Sequence, residues 1–412
     1  MQKVLRNFLN LVIILLVIEV IKRSIEKTNL VSGFFISVVL TSVQMTIVLA
    51  FLFIPLLFRV CKKAVNQPKK AWGGAVLLFI IGFGCTEALC TSWFHHPEHV
   101  PAFMKDAYAL YYEFYGRNII QFDSKCSAYN PQLFYTLKPN SRFSFSNAEF
   151  NTRYRTNSMG VRDDESSLNK PDVICLGDSF TMGWGVEQDS TFSQRLEKVS
   201  GEKILNTGIS SYGTAREIMN LSRFDTSSLK YLVVQYCEND YEENELYLEN
   251  HFVLKISSQQ KYDSIVKTKE ISSVYYPGKR FLNVLQLWIK LRVNKIVHVF
   301  PLDNENTIDE ESIRVQAKSF LNVLGRAGIE FSKRKIIVLY PTPNFSLNRS
   351  FERITDSLIH ESPYKERFGN NINILKLSEL LQPDDYYMLD THLNNKGHRK
   401  VAGFIWKMMQ SF

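Results

Sequence analysis

The chain has 412 residues, 45% hydrophobic and 22% charged. That composition excludes a disordered or fibrous chain and leaves room for two or three domains at roughly 150 residues each. The net charge of +8 is unevenly placed: residues 1–100 hold ten Lys/Arg against four Glu and no Asp, and the rest holds 39 Lys/Arg against 37 Asp/Glu, so no nucleic-acid partner is expected for the body of the protein.

The first 96 residues read as a membrane region. Segment 8–21 is apolar apart from Asn10 and Glu19 and follows Lys3 and Arg6. No small-residue cleavage site comes after it, which favours an uncleaved first helix over a signal peptide. Segment 30–58 runs 29 residues without a charge, longer than the about 20 apolar residues a bilayer core requires. Segment 72–94 is interrupted only by Glu87. Two or three transmembrane helices are therefore expected. Arg59, Lys62, Lys63, Lys69 and Lys70 crowd the loop between the second and third segments, which places that loop in the cytoplasm and everything after the last span outside it. The expected location is the cytoplasmic (inner) membrane, with the C-terminal domain extracytoplasmic.

The six cysteines are too few and too scattered for a disulfide framework. Cys61, Cys85 and Cys90 lie in or beside the apolar segments, and Cys175 and Cys237 in strand-like runs. No CxxC or Cys/His ligand spacing is present, so no metal or other cofactor is expected. His95, His96 and His99 follow a predicted span and are read as interfacial polar residues rather than a metal site.

Residues 97–170 form an aromatic-rich juxtamembrane segment and a β-rich lead-in. Phe103, Tyr108, Tyr111, Tyr112, Phe114 and Tyr115 crowd the first part, and 133–154 alternates as short strands do. From 171 onward strands and helices alternate. Short stretches at 173–176, 203–206, 231–236, 335–340 and 372–375 predict five strands; the third is apolar except for Gln235. Helical stripes appear at Phe192, Leu196 and Val199, and again at Val401, Phe404, Ile405, Met408 and Met409. The pattern implies an α/β domain over 171–412: a parallel sheet covered on both faces, with its site at the strands' carboxyl ends. A mostly helical insertion occupies about 241–333. Its stretch 281–300 reads as a cap or core helix, with an amphipathic membrane-touching segment as the other reading.

Candidate chemistry collects at those strand ends. Gly177-Asp178-Ser179-Phe180-Thr181 follows the first strand; a serine at a sharp strand-to-helix turn presents its hydroxyl where a base can reach it. Thr181 at the second position after the serine departs from the G-x-S-x-G elbow. Asn206-Thr207-Gly208 follows the second strand, Glu238-Asn239-Asp240 the third, and Asp390-Thr391-His392 precedes the last helix.

These four blocks, in this order, resemble those of the SGNH (GDSL) esterase family, over residues 133–412. The stretch Asn157-Ser158-Met159-Gly160-Val161-Arg162-Asp163 resembles one seen ahead of the Gly-Asp-Ser block in membrane-tethered members. The resemblance implies a three-layer, flavodoxin-like, five-stranded parallel sheet. It implies Ser179 as nucleophile, His392 as base and Asp390 as its orienter, with Ser179, Gly208 and Asn239 as oxyanion donors. Glu238 stands where a glycine is common. The two-residue Asp-to-His spacing resembles the branch that acetylates exopolysaccharides such as alginate, although Leu393 replaces the usual Trp there.

Histidine as a residue type titrates near neutral pH and suits a general base. Asp390 can accept from its ring if the intervening residue is extended with both side chains on one side. His398, six residues on, is the competing base, and His392 is expected nearer Ser179. Asp178 and Asp240 read as structural acceptors. Trp184 is a candidate pocket residue, and Arg162-Asp163 a pin for the lead-in loop or a surface ion pair. The expected function is a membrane-anchored serine esterase acting on acyl esters of a glycan or lipid. The alternatives are an O-acyltransferase working through the same serine with a multi-span acyl-carrying membrane protein as partner, and a catalytically dead tethered binding module.

Overall fold

The computed structural model describes residues 2–26, 31–65, 67–116, 119–297 and 309–412. Parts of the first predicted loop and of the insertion fall outside them.

The chain begins with helices α1 (Gln2–Glu26), α2 (Val31–Ala64), α3 (Pro68–His95) and α4 (Lys105–Tyr111). Two short hairpins follow: β1 (Ser127–Asn130) with β2 (Phe134–Leu137), and β3 (Arg142–Ser146) with β4 (Asn151–Arg155). Next come β5 (Val173–Leu176), α5 (Ser179–Met182), α6 (Phe192–Ser200), β6 (Ile204–Asn206), α7 (Thr214–Leu221) and β7 (Tyr231–Gln235). Then come α8 (Asp240–Glu249), α9 (Gln259–Ser273), α10 (Lys279–Val297) and α11 (Glu310–Leu324). The chain closes with β8 (Lys335–Leu339), α12 (Phe345–Leu358), α13 (Tyr364–Phe368), β9 (Ile372–Ile374) and α14 (Asn395–Ser411).

Two compact units result. The first comprises Met1–Gly116 and Ser264–Leu302. Within it Val39–Ala64 and Pro68–His95 are long and apolar enough to cross a membrane, with mean hydropathies of 2.2 and 1.8. Several of their large side chains are bare, Leu52 and Ile80 being 59% and 60% exposed. Glu87, which interrupts α3, is buried. Its carboxylate accepts the Tyr275 hydroxyl at 2.9 Å and the Arg280 and Phe281 N–H groups at 3.3 and 2.7 Å. It thus satisfies donors that the first turn of α10 leaves open. The predicted cap helix therefore belongs with α2–α4, because a carboxylate inside an apolar helix has to be hydrogen-bonded. Past α3, His96, Glu98 and His99 place ligand-type atoms within 4.8 Å of one another, all exposed.

The second unit, Arg117–Asp263 and Asp303–Phe412, carries the sheet. Its five strands are parallel in the order β6-β5-β7-β8-β9. Val173, Ile174, Cys175 and Leu176 are all buried, each large aliphatic among them stabilising by ~1.5–3 kcal/mol. On one face Val173, Cys175, Val233 and Ile337 pack with Phe192, Leu196, Val401 and Ile405. At the end of β7, Tyr236 stacks on Phe351 of α12 at 4.4 Å. The chain leaves β5 for β6 on one side and then crosses to β7 on the other, so the loops after β5 and β7 border a topological switch point. Hairpin β3–β4 contributes Phe145 and Tyr154 to an apolar cluster with Met182 and Trp184, directly beyond α5.

Candidate active site

The turn after β5 has no room for a side chain. A Cβ on Gly177 would lie 2.1 Å from Thr181 Oγ1 and 2.4 Å from Gln235 Oε1. Gln235 Oε1 accepts the Asp178 N–H at 3.0 Å and lies 3.1 Å from Thr181 Oγ1. The one amide in an otherwise apolar strand is thus what ties β7 to the turn after β5. Asp178 caps α5 by accepting the Phe180 N–H at 2.9 Å, and burial pushes its carboxyl up. Ser179 opens α5 and is 8% exposed.

His392 Nε2 lies 2.7 Å from Ser179 Oγ, and Nδ1 lies 2.5 Å from Asp390 Oδ1. With Asp390 as acceptor, Nδ1 carries the proton and Nε2 is free to accept from the serine. The connection between the two differs from the extended one expected. Thr391 has φ +63, a left-handed turn that swings two side chains only two residues apart onto one another. The Phe180 ring lies 4.7 Å from the His392 ring. Asp390 is 1% exposed, and its second oxygen accepts Trp184 Nε1–H at 3.3 Å. Trp184 is buried among Phe145, Phe150 and Tyr154, so it supports the carboxylate from the core instead of lining a pocket. His398 stands elsewhere: its Nδ1 accepts the Phe192 N–H at 3.2 Å, at the start of α6.

The expected oxyanion donors are differently placed. Gly208 packs against α5 so closely that a Cβ would sit 2.4 Å from the Met182 nitrogen. Its N–H donates to Asn206 Oδ1 at 3.0 Å. The Asn206 amide is itself anchored through Nδ2 to Thr181 O and Ser193 Oγ, at 2.7 and 2.9 Å, which fixes Oδ1 toward that N–H; Gly208 therefore already has an internal partner. Asn239 is exposed at the carboxyl end of β7 and, although it opens α8, makes no capping hydrogen bond. Asp240 is buried and accepts Thr214 Oγ1 and the Cys237 N–H, at 2.9 and 3.3 Å; burial raises its carboxyl.

Arg162 and Asp163 are both buried, not a surface pair. Arg162 donates to the carbonyls of Met182, Gly183, Arg153 and Val186 at 2.6–3.1 Å. It lies over the Tyr154 ring at 4.1 Å. Asp163 accepts the Asn206 N–H at 2.6 Å and Gln194 Nε2–H at 2.8 Å. Together they fasten the lead-in to the segments flanking α5 and β6, from opposite sides of one turn. Burial pushes the Cys175 and Cys237 thiols up, in keeping with packing residues rather than nucleophiles.

No protein-family profile and no curated protein matches the chain. Among solved structures it is similar to a member of the lipolytic G-D-S-L family from Veillonella parvula, at 12% identity and a TM-score of 0.32, over 58% of this chain and 98% of that one. A lipolytic G-D-S-L protein from Desulfitobacterium hafniense is 14% identical, with a TM-score of 0.28, covering 57% of this chain and 97% of its own. A lipase from a goat rumen metagenome is 15% identical, with a TM-score of 0.29, covering 57% and 94%.

Proposed function

We propose that the chain is a membrane-anchored serine esterase of the SGNH type, cleaving acyl esters of a glycan or lipid on the outer side of the cytoplasmic membrane. The observation that carries this reading is the contact of Ser179 Oγ with His392 Nε2 at 2.7 Å, continued through Nδ1 to Asp390. His392 takes the hydroxyl proton as Oγ attacks the ester carbon; Asp390 stabilises the imidazolium and keeps its tautomer. The oxyanion is held by the Ser179 N–H and the Asn239 amide, with the Gly208 N–H shared between it and Asn206 Oδ1. His392 then protonates the departing alkoxide, and water attacks the acyl-serine by the same route in reverse. Anchoring is supported by the two long apolar helices, and the outward domain by the five exposed Lys/Arg between 59 and 70.

The test is acetate release from acetylated glycan and from an aryl acetate by the full chain in detergent. Ser179→Ala and His392→Ala should each abolish turnover; Asn239→Ala should retain activity reduced ~10²–10³-fold, because one donor is lost and the nucleophile remains. Equal mild losses for all three overturn the reading. Adding a sugar acceptor separates hydrolysis, which yields free acetate, from transfer to the added hydroxyl.

A further inference from the structure

Asp390 is gripped from the connection between β3 and β4. Asn147 Nδ2–H donates to Asp390 Oδ2 at 3.0 Å. The amide cannot turn over without loss, because its Oδ1 already accepts the N–H groups of Glu149 and Phe150 at 2.8 and 3.0 Å. Two residues on, the Glu149 carboxylate accepts three consecutive N–H groups: Met388 at 2.6 Å, and Leu389 and Asp390 at 2.9 Å each. Four hydrogen bonds thus run between one hairpin tip and residues 388–390, and all four have a carboxylate acceptor, that of Asp390 once and that of Glu149 three times, the stronger class of such bonds.

The segment so held ends at Thr391, a β-branched residue at φ +63. Such a conformation persists only where its surroundings over-determine it. Here it brings Asp390 Oδ1 against His392 Nδ1, so whatever fixes 388–390 also fixes the base.

We propose that the hairpin tip, through Asn147 and Glu149, is a positioning element that holds the Asp390–His392 pair in line with Ser179. Neither residue touches the reacting atoms; both act through Asp390. The inference rests on the serine-esterase reading of the site.

The experiment measures, for the full chain in detergent, turnover of an aryl acetate and the rate at which a fluorophosphonate probe labels Ser179; labelling can be followed for hours, so slow variants remain measurable. Asn147→Ala and Glu149→Gln should each lower kcat about 10- to 100-fold with KM within about twofold, and slow labelling in parallel. Repeated in an Asp390→Ala background, each should change the labelling rate less than about twofold, since residues acting through one another are not additive. Undiminished losses in that background would mean general damage and overturn the proposal, as would full activity of both variants with Asp390 intact. If Glu149→Gln fails to fold, Asn147→Ala carries the test alone, because it removes one side-chain donor and leaves the backbone grip. Ser179→Ala separates the two levels: wild-type turnover in that variant sinks the esterase reading, whereas an inactive Ser179→Ala beside normal hairpin variants sinks this proposal alone.

Discussion

His398 should make the fold acid-sensitive. It is 1% exposed, and its Nδ1 accepts the Phe192 N–H at 3.2 Å, so the neutral ring is the form the structure needs. Burial first, then the nearby Arg162 and Arg195 charges, push its pKa down from 6.5 to about 3. The folded pKa is depressed, so below pH 6.5 the unfolded chain takes up a proton that the folded chain refuses. Stability from this residue is complete above about pH 7 and is lost as pH falls toward 3. With those two pKa values the loss at pH 5 is about 2 kcal/mol. Burial pushes the carboxyls of Asp163 and Glu352 up to about 7. Those groups act in the opposite sense, favouring the folded state as pH falls below 7, so the total pH profile is a composite. The difference between wild type and His398→Asn isolates the imidazole. Asparagine can place an oxygen near Nδ1 and does not titrate; its lost ring packing is a constant offset. Equilibrium denaturation of both full chains in detergent, followed by tryptophan fluorescence, should show the wild type's advantage shrinking by about 2 kcal/mol between pH 7.5 and pH 5. A pH-independent offset would refute the assignment of His398 as a buried neutral acceptor.

Arg162→Met keeps bulk but leaves the carbonyls of Met182, Gly183, Arg153 and Val186 without their common donor. It should destabilise by about 3–5 kcal/mol, read as a lower midpoint in the same denaturation assay; a change within experimental error would mean that water replaces the guanidinium. A phosphatase fused after Phe412 should be active and a cytoplasm-only reporter silent if, as proposed, the five Lys/Arg between 59 and 70 keep their loop inside; the reverse pattern would turn the proposed topology over.

Much of the sheet was legible because burial on both faces leaves an unbroken apolar run. Val173–Leu176 is a strand in sequence and structure alike, and the other four predicted strands differ from the observed ones by a residue at one end. The serine was legible as the residue at a sharp turn between strand and helix, and His392 through the resemblance of Asp390-Thr391-His392 to the Asp/His block of the SGNH family. What was not legible depends on neighbours distant in sequence. Glu87 looked like a flaw in an apolar segment, yet its partners lie at 275, 280 and 281. Arg162-Asp163 reads as a loop pin or a surface pair, and only the four carbonyls around the guanidinium decide for the pin. Asn147 and Glu149 sit in a hairpin connection with no local mark at all.

Gln235 lies between these cases and shows where a site does leave a trace. A buried strand has no energetic use for an amide unless its hydrogen bonds are met, so the polar interruption at 235 was visible as an anomaly, but not its purpose. The purpose requires that β7 lie beside β5 with Val234 opposite Leu176, which puts the following amide level with Gly177 and Asp178. Its Oε1 accepts there while its Nε2 finds no protein partner among the described residues. Half of the amide's hydrogen-bonding capacity thus holds the turn that presents Ser179. A Gln235→Leu change should therefore slow Ser179 labelling by more than its effect on unfolding would suggest. If labelling keeps its wild-type rate, the tie between β7 and the nucleophile turn has no part in presenting the serine.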